Sequence, residues 1–305
     1  MRWRERLHKL RFERAVRAMR ATPPLAGGSE ALTLLSMVHH RDVLAYLLAA
    51  KSFARFLRPA QIVVVADPTL DASDRALLRE HLPQLRLREA AEFHRPGAVQ
   101  GGTWERLYAI AEETRESYVI QLDADTVSLA PLAAVEAAWR AGVGFTLGTE
   151  DDMQIADAAV VAAWARARLA EGDHVQAHAE AQLDRLGAGC TRYVRGCSGF
   201  AGFARGSVDA GRVREISDRM AALLGARWSA WGTEQFTSNL LVANSDGARV
   251  LPHPAYCAPH RRRAETVFLH FIGYVRHASG LYAELARTTA RELADAASPA
   301  RRLAA

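Results

Sequence analysis

What most constrains this 305-residue chain is a repeated alternation of short apolar runs with segments of helical period. ALTLLSMV (31–38) reads as a buried strand, and 42–56 as a helix with Val43, Leu44, Leu47 and Leu48 on one side. QIVVVAD (61–67) is a second strand, followed after Pro68 by a helix from about Ser73 to His81. A helix over 102–115 leads into the strand YVIQLD (118–123); Pro131 opens a short helix, and AGVGFTLG (141–148) is a further strand. Strands alternating with helices predict an α/β fold with a mostly parallel sheet flanked by helices.

The second half is less regular. Residues 154–186 are Ala-rich and helical in pattern, and CSGFAGFA (197–204) reads as a strand whose glycines allow close approach. Helices follow near 208–224 and 230–243, then a short apolar strand TVFLHF (266–271) and a last helix over about 279–295. The expected organisation is a basic N-terminal helix and linker (1–30), one domain (31–295) with halves at 31–150 and 151–295, and a tail (296–305). In residues 3–20, Leu7, Leu10, Phe12, Val16 and Met19 are interleaved with Arg. The favoured reading is a helix packing one stripe on the body; the competing one is a helix that touches a membrane surface or a partner.

Composition removes several classes. No apolar stretch approaches a membrane span, and the charged N-terminal residues lack a signal-peptide core, so a cytoplasmic protein is expected, with peripheral contact to the inner membrane face as the variant. Three cysteines, Cys190, Cys197 and Cys257, are too few for a disulfide framework and lack zinc-ligand pairing. The net charge of +5 favours phosphorylated substrates or acidic surfaces. The arginines are spread along the chain without an aromatic RNA motif or zinc finger, so no nucleic-acid partner is expected. Only Lys9 and Lys51 are lysines.

Asp123-Ala124-Asp125 carries the chemistry. In an open parallel sheet, ligands sit beyond the carboxyl ends of strands, where this tripeptide falls. Two carboxylates one residue apart can reach one hard divalent cation, which in turn can bridge to a diphosphate and neutralise charge on it as it departs. An Asp ending a strand more often only caps the next loop. The string Leu122 to Val127 also resembles the nucleophile motif of haloacid-dehalogenase-like phosphatases, with Asp123 and Asp125 as nucleophile and acid–base. That family uses a later cationic residue, usually lysine, and its motif opens the fold. Here no lysine follows residue 51 and several strands come first, which demotes this reading.

Four further segments accompany the tripeptide. They are Thr103 to Tyr108 with Arg106, Cys197-Ser198-Gly199-Phe200, Glu234-Gln235 with Asn239, and His270-Phe271-Ile272-Gly273-Tyr274-Val275-Arg276. Over roughly residues 31–280 this order resembles the glycogenin-like family of retaining glycosyltransferases, of GT-A type. There a cation precedes Asp-x-Asp, and an Asn-Ser-Gly strand, an Asp-Gln helix and His-x-x-Gly-x-x-Lys follow. The resemblance implies a Rossmann-like nucleotide half, an irregular acceptor half, and transfer of a hexose from a UDP-sugar to a hydroxyl acceptor (a glycan, a lipid-linked molecule or a small molecule). It also implies a divalent cation, Mn2+ or Mg2+, on Asp125 and His270, with Asp123 shared between ion and donor ribose. By the same resemblance Arg106 holds the donor, Gly273 lets backbone approach the diphosphate, Arg276 supplies charge to the leaving group, and Glu234 and Gln235 lie beside the reacting sugar. Ser36, Met37, Val38 and His39, with Asp67 and Ala124, complete the expected donor site. Cys197 stands where the family has Asn, Phe236 replaces a second acidic residue, and His277-Ala278 replaces Pro-Trp. A non-catalytic sugar-nucleotide-binding protein of the same fold is the reading from another class.

Each residue also has a plainer reading. His270 could be a core histidine, Arg106 a helix-surface ion-pair partner and Glu234 an exposed helix residue. Glu150-Asp151-Asp152 reads as a solvated loop, although a base from it would imply inversion, and Arg261 to Arg263 as a solvated basic loop. His39-His40 and His253 have spacings that assign nothing.

Overall fold

The computed structural model describes residues 3–151, 153–273 and 275–297. Its helices are α1 (Trp3–Val16), α2 (Val43–Ala54), α3 (Ala72–His81), α4 (Trp104–Glu113), α5 (Ala133–Arg140), α6 (Ala158–Arg166), α7 (Val175–Glu180), α8 (Ala210–Leu224), α9 (Thr233–Ala243) and α10 (Leu281–Ala297). Its strands are β1 (Glu30–Val38), β2 (Pro59–Ala66), β3 (Leu85–Glu89), β4 (Tyr118–Leu122), β5 (Thr126–Ser128), β6 (Phe145–Leu147), β7 (Ala156–Asp157), β8 (Arg192–Tyr193), β9 (Cys197–Phe203), β10 (Arg249–Leu251), β11 (Tyr256–Cys257) and β12 (Phe268–His270). Seven strands form a mostly parallel sheet in the order β10-β6-β9-β4-β1-β2-β3, flanked by helices, as the alternation predicts. A three-stranded sheet β11-β12-β5 and the ribbon β7-β8 complete the set. Among the described residues no helix is long and apolar enough to cross a membrane.

Several boundaries differ from the sequence reading, for local reasons. Helix α5 starts at Ala133, so Pro131 precedes it rather than opening it. Of 141–148 only β6 is strand. Ala141 and Val143 still donate to the carbonyls of Ala137 and Ala138, and Gly142 takes φ 64°, so these residues terminate α5. The stretch 154–186 is not one helix: β7 precedes α6, Asp157 caps α6 and His174 caps α7. Strand β3, LRLRE, which the sequence reading does not include, alternates Leu85 and Leu87 with Arg86 and Arg88 and sits at the sheet edge, where charged residues are usual. Helix α10 runs through Ala297, so residues 296 and 297, expected in the tail, are helical, and residues 298–305 lie outside the described ones.

The chain divides into two compact units that interleave along the sequence: Met1–Arg88 with Leu122–Leu132 and Pro254–Ala305, and Glu89–Gln121 with Ala133–His253. They do not follow the expected halves at 31–150 and 151–295, because β5 at 126–128 pairs with β12 at 268–270 and so binds two distant segments into the first unit.

In the first unit, β1 and β2 pair in parallel, with Leu34 opposite Ile62, Leu35 opposite Val63 and Ser36 opposite Val64, all buried except Gln61 nearby. Burial on both faces accounts for their continuous apolar runs. Lys51 is fully buried in α2. Its Nζ donates to Thr22 Oγ1 (2.8 Å), the Pro23 carbonyl (2.7 Å) and His81 Nδ1 (2.7 Å), which ties the 22–30 linker to the core. Phe12 of α1 stacks on Tyr282 (centroids 3.8 Å apart), which stacks on Phe271 (4.0 Å). In the second unit, Trp104, Trp228 and Phe236 pack edge-on around the start of α9. A Cβ on Gly202 would run into the Phe145 ring, so the close approach expected of the β9 glycines holds there.

Candidate functional site

Strand β4 ends at Leu122, and the chain turns through Asp123-Ala124-Asp125 into β5, with Thr126 Oγ1 donating to the Asp123 carbonyl at 2.9 Å. Strand β5 pairs antiparallel with β12, so Thr126 lies opposite His270, and the Phe271 amide donates to the Asp125 carbonyl at 2.8 Å. This register brings His270 to the carboxylates: its Nε2 is 3.1 Å from Asp125 Oδ1 and 3.8 Å from Asp123 Oδ2. The three candidate ligand atoms all lie within 4.8 Å of one another. Asp125 and His270 are buried and Asp123 is partly exposed.

Arg276 donates from Nη2 to Asp125 Oδ2 and from Nη1 to Asp42 Oδ1 (3.2 Å). Burial alone would raise the Asp125 pKa, but His270 and then Arg276 override it and hold the carboxyl down at about 2. Burial would lower the Arg276 pKa, and Asp125 instead raises it. Asp125 is therefore an anion at any physiological pH. Two carboxylates and an imidazole converging from a turn and a neighbouring strand suit a divalent cation of the Mn2+ or Mg2+ kind, with nitrogen favouring Mn2+. Binding a cation through Nε2 would require the neutral imidazole with its proton on Nδ1.

The other residues expected around the donor separate by exposure. Ser36 and Val38 are fully buried, and Ser36 Oγ donates to the Leu122 carbonyl (2.6 Å), which braces the strand before the turn. Met37 and His39 are half-buried, and His39 Nδ1 accepts from the Arg41 amide at 3.2 Å. Asp67 Oδ1 accepts from the Thr69 amide (2.9 Å) and hydroxyl (2.6 Å), which shapes the loop after β2. The Ala124 carbonyl accepts from the Tyr282 hydroxyl at 3.5 Å. A Cβ on Gly273 would meet nothing within 4 Å, so the space on that side of its Cα is open. Tyr274 and Asp152 lie outside the described residues. A second cluster, His40, Asp71 and Asp74, is accounted for by capping of α3, in which Asp71 and Asp74 bond each other's backbone amides and His40 Nδ1 lies 2.6 Å from Asp74 Oδ2.

The second unit assembles the remaining expected residues. Arg106 and Glu234 are both buried, with Nη2 3.0 Å from Oε2. The same carboxylate oxygen accepts from Thr103 Oγ1 (3.1 Å) and Ser198 Oγ (3.3 Å). Glu234 is thus no exposed helix residue, and Arg106 is an ion-pair partner in the interior rather than on the surface. Gln235 is half-buried and its Oε1 accepts from the Ser198 amide at 3.3 Å. Thr103 has φ 74° directly after Gly101 and Gly102, which are also left-handed, a strained geometry for a β-branched residue. The helix expected from 102 therefore starts two residues later, at Trp104, after this left-handed turn. Beside Gln235 lies a polar cavity of about 210 Å³, lined among others by Asn239, Glu180, Arg195 and His174. The sequence reading missed Glu180, Arg195 and His174. Arg195 Nε lies 3.0 and 3.1 Å from the two oxygens of buried Glu180, and burial raises the Glu180 pKa. Of the plainer readings, Asp151 contacts His253 Nδ1, while Arg261 to Arg263 are exposed.

No protein-family model matches the sequence, and no curated protein does. Solved structures do. The WbbM bifunctional glycosyltransferase matches over 88% of this chain and 53% of its own, at a TM-score of 0.50 and 13% identity. An active-site mutant of LgtC matches over 85% of this chain and 95% of its own, at a TM-score of 0.50 and 12% identity. A complex of the galactosyltransferase LgtC with donor and acceptor sugar analogues gives 0.46 and 12%. The chain thus spans about half of WbbM and nearly all of LgtC. At such identities the likeness establishes the fold: it is that of the GT-A glycosyltransferases.

Proposed function

We propose that the protein is a cation-dependent, glycogenin-like hexosyltransferase that uses a UDP-sugar. The observation that carries this is the convergence of Asp123, Asp125 and His270 at a strand end of a GT-A fold. In the reaction the anomeric carbon–oxygen bond to the diphosphate breaks, a bond to the acceptor oxygen forms, and the acceptor hydroxyl loses its proton. Asp125 and His270, with Asp123, would hold a divalent cation, which would supply Lewis-acid neutralisation of the departing diphosphate. Arg276, already charged and anchored to Asp125 and Asp42, adds a second cation there. Gly273 is exposed and open on the side where a Cβ would stand, which fits close approach of a diphosphate, and the half-buried Met37 and His39, with Asp67, are the residues we assign to the nucleoside.

In the second unit the buried Arg106 fixes the Glu234 carboxylate, and Ser198 orients Gln235. These are the acidic and amide groups assigned to the reacting sugar. The cavity beside Gln235 presents carboxylate, guanidinium and amide groups, a hydrogen-bonding set suited to a hydroxyl-rich acceptor such as a glycan. Exposed Trp231 packs edge-on to His174 at 5.8 Å and offers an apolar face for a sugar ring.

The test is nucleotide release from a panel of UDP-hexoses with Mn2+ and a set of oligosaccharide acceptors. We expect UDP release that needs Mn2+ and falls at least about a hundredfold in Asp125→Ala, the scale of losing a key electrostatic group. Release of inorganic phosphate from a generic phosphate ester, with no UDP from any donor, would overturn the proposal in favour of a phosphatase.

A further inference from the structure

Helix α1 uses one face to pack and leaves the opposite face in solvent. Phe12, Ala15 and Val16, with Met19 just beyond, are buried. At about 100° per residue, Trp3, Leu7 and Leu10 fall within an arc of roughly 60° on the other side. They are 69%, 37% and 62% exposed, and they are half of the large apolar side chains exposed among the described residues. Arg14 continues the row, and Arg4, Arg6 and Arg11 flank it.

The charge is as uneven as the apolar surface. Residues 3–20 contain seven basic side chains and two acidic ones, so they account for the whole +5 excess, and the rest of the chain is balanced. One of the two acids, Glu13, is paired with Lys9 at 3.7 Å. An apolar row bordered by arginines, on a helix already held to the body by its other face, is the pattern of an interfacial helix. The buried stripe predicted from the sequence is therefore only half of the design.

We propose that α1 lies flat on an anionic bilayer, with Trp3, Leu7 and Leu10 in the headgroup–acyl boundary and the arginines on lipid phosphates. Charge complementarity favours this occupant. A second copy of the face would set two such clusters of positive charge against each other, and a neutral surface would leave the arginines without counter-charge. The apolar row gives short-range anchoring, and the arginines give attraction that depends on salt. The proposal stands apart from the transfer reaction and does not rest on it.

The experiment is co-sedimentation of the full chain with vesicles of phosphatidylcholine and phosphatidylglycerol in equal parts, against phosphatidylcholine alone. The expected result is partitioning roughly tenfold or more stronger on the anionic vesicles, weakened by high salt, because one elementary step of attraction is added per arginine near the surface. The double substitution Leu7→Glu/Leu10→Glu touches only exposed side chains, so its melting temperature and its nucleotide-induced thermal shift should match the wild type while vesicle binding is lost. Equal binding to neutral vesicles, or anionic binding that survives the double substitution, would overturn the proposal. So would a concentration-dependent dimer that disappears in the variant, because the face would then serve self-association.

Discussion

Asp125 divides its oxygens between His270 and Arg276, and this division places the candidate cation site. The two aspartates were legible because a strand end followed by Asp-x-Asp is a local pattern. His270 is 145 positions away: only the family resemblance linked it to Asp125 in the sequence, and the β5–β12 register, which no spacing rule encodes, is what brings the two together. The Arg106–Glu234 pair is equally invisible to a local reading, since its members lie 128 positions apart. Breaking a buried pair leaves a charge without compensation, which typically costs about 3–5 kcal/mol. Arg106→Met should therefore lower stability by about that amount in urea unfolding, and the double variant Arg106→Met/Glu234→Gln should recover much of it. A single variant as stable as the wild type would show that the pair is not an isolated buried ion pair.

Elements follow the sequence where apolar periodicity is strong and depart from it where a turn decides. The runs in β1, β2 and β4 are buried on both faces and were read within about two residues. The end of α5 was misread as strand because Ala141-Gly142-Val143 is apolar, whereas Gly142 in its left-handed conformation terminates the helix. In β9, Gly202→Ala should destabilise by about 1–3 kcal/mol, an overpacking cost, because the new Cβ meets the Phe145 ring. A thermal scan showing no loss would mean that the β6–β9 contact yields easily. Helix α2 carries a pH signature. Burial lowers the Lys51 pKa from 10.5 to about 8, so between these values the unfolded chain holds a proton that the folded chain has released. Stability from this group therefore rises as pH increases from about 8 to 10.5, and Lys51→Met should remove that slope in unfolding measured across the window.

At the scale of the whole molecule, the sheet order and helical layers identify a GT-A fold, and the alternation along the chain already implied its class. The interleaving of the two units did not follow from sequence, because it depends on which distant strands pair. A helix with two useful faces was also partly hidden: the sequence shows the apolar residues of α1, and only packing shows which are spent on the core. Against acid, His277 adds a further whole-chain signature. Burial, then Arg276, lowers its pKa from 6.5 to about 4, so stability should fall as pH drops through that window, and His277→Gln should flatten the change.

On the proposed function, Asp125 and His270 hold a cation that binds a nucleoside diphosphate. The most direct measurement is the thermal shift produced by UDP with and without Mn2+ in the wild type and in Asp125→Ala. A ligand that binds only the folded state raises the melting temperature by mass action. The expected result is a UDP shift that requires Mn2+ and vanishes in Asp125→Ala, while that variant keeps its folded signature. A UDP shift independent of Mn2+ and unchanged in Asp125→Ala, or no shift from any nucleotide, would contradict it.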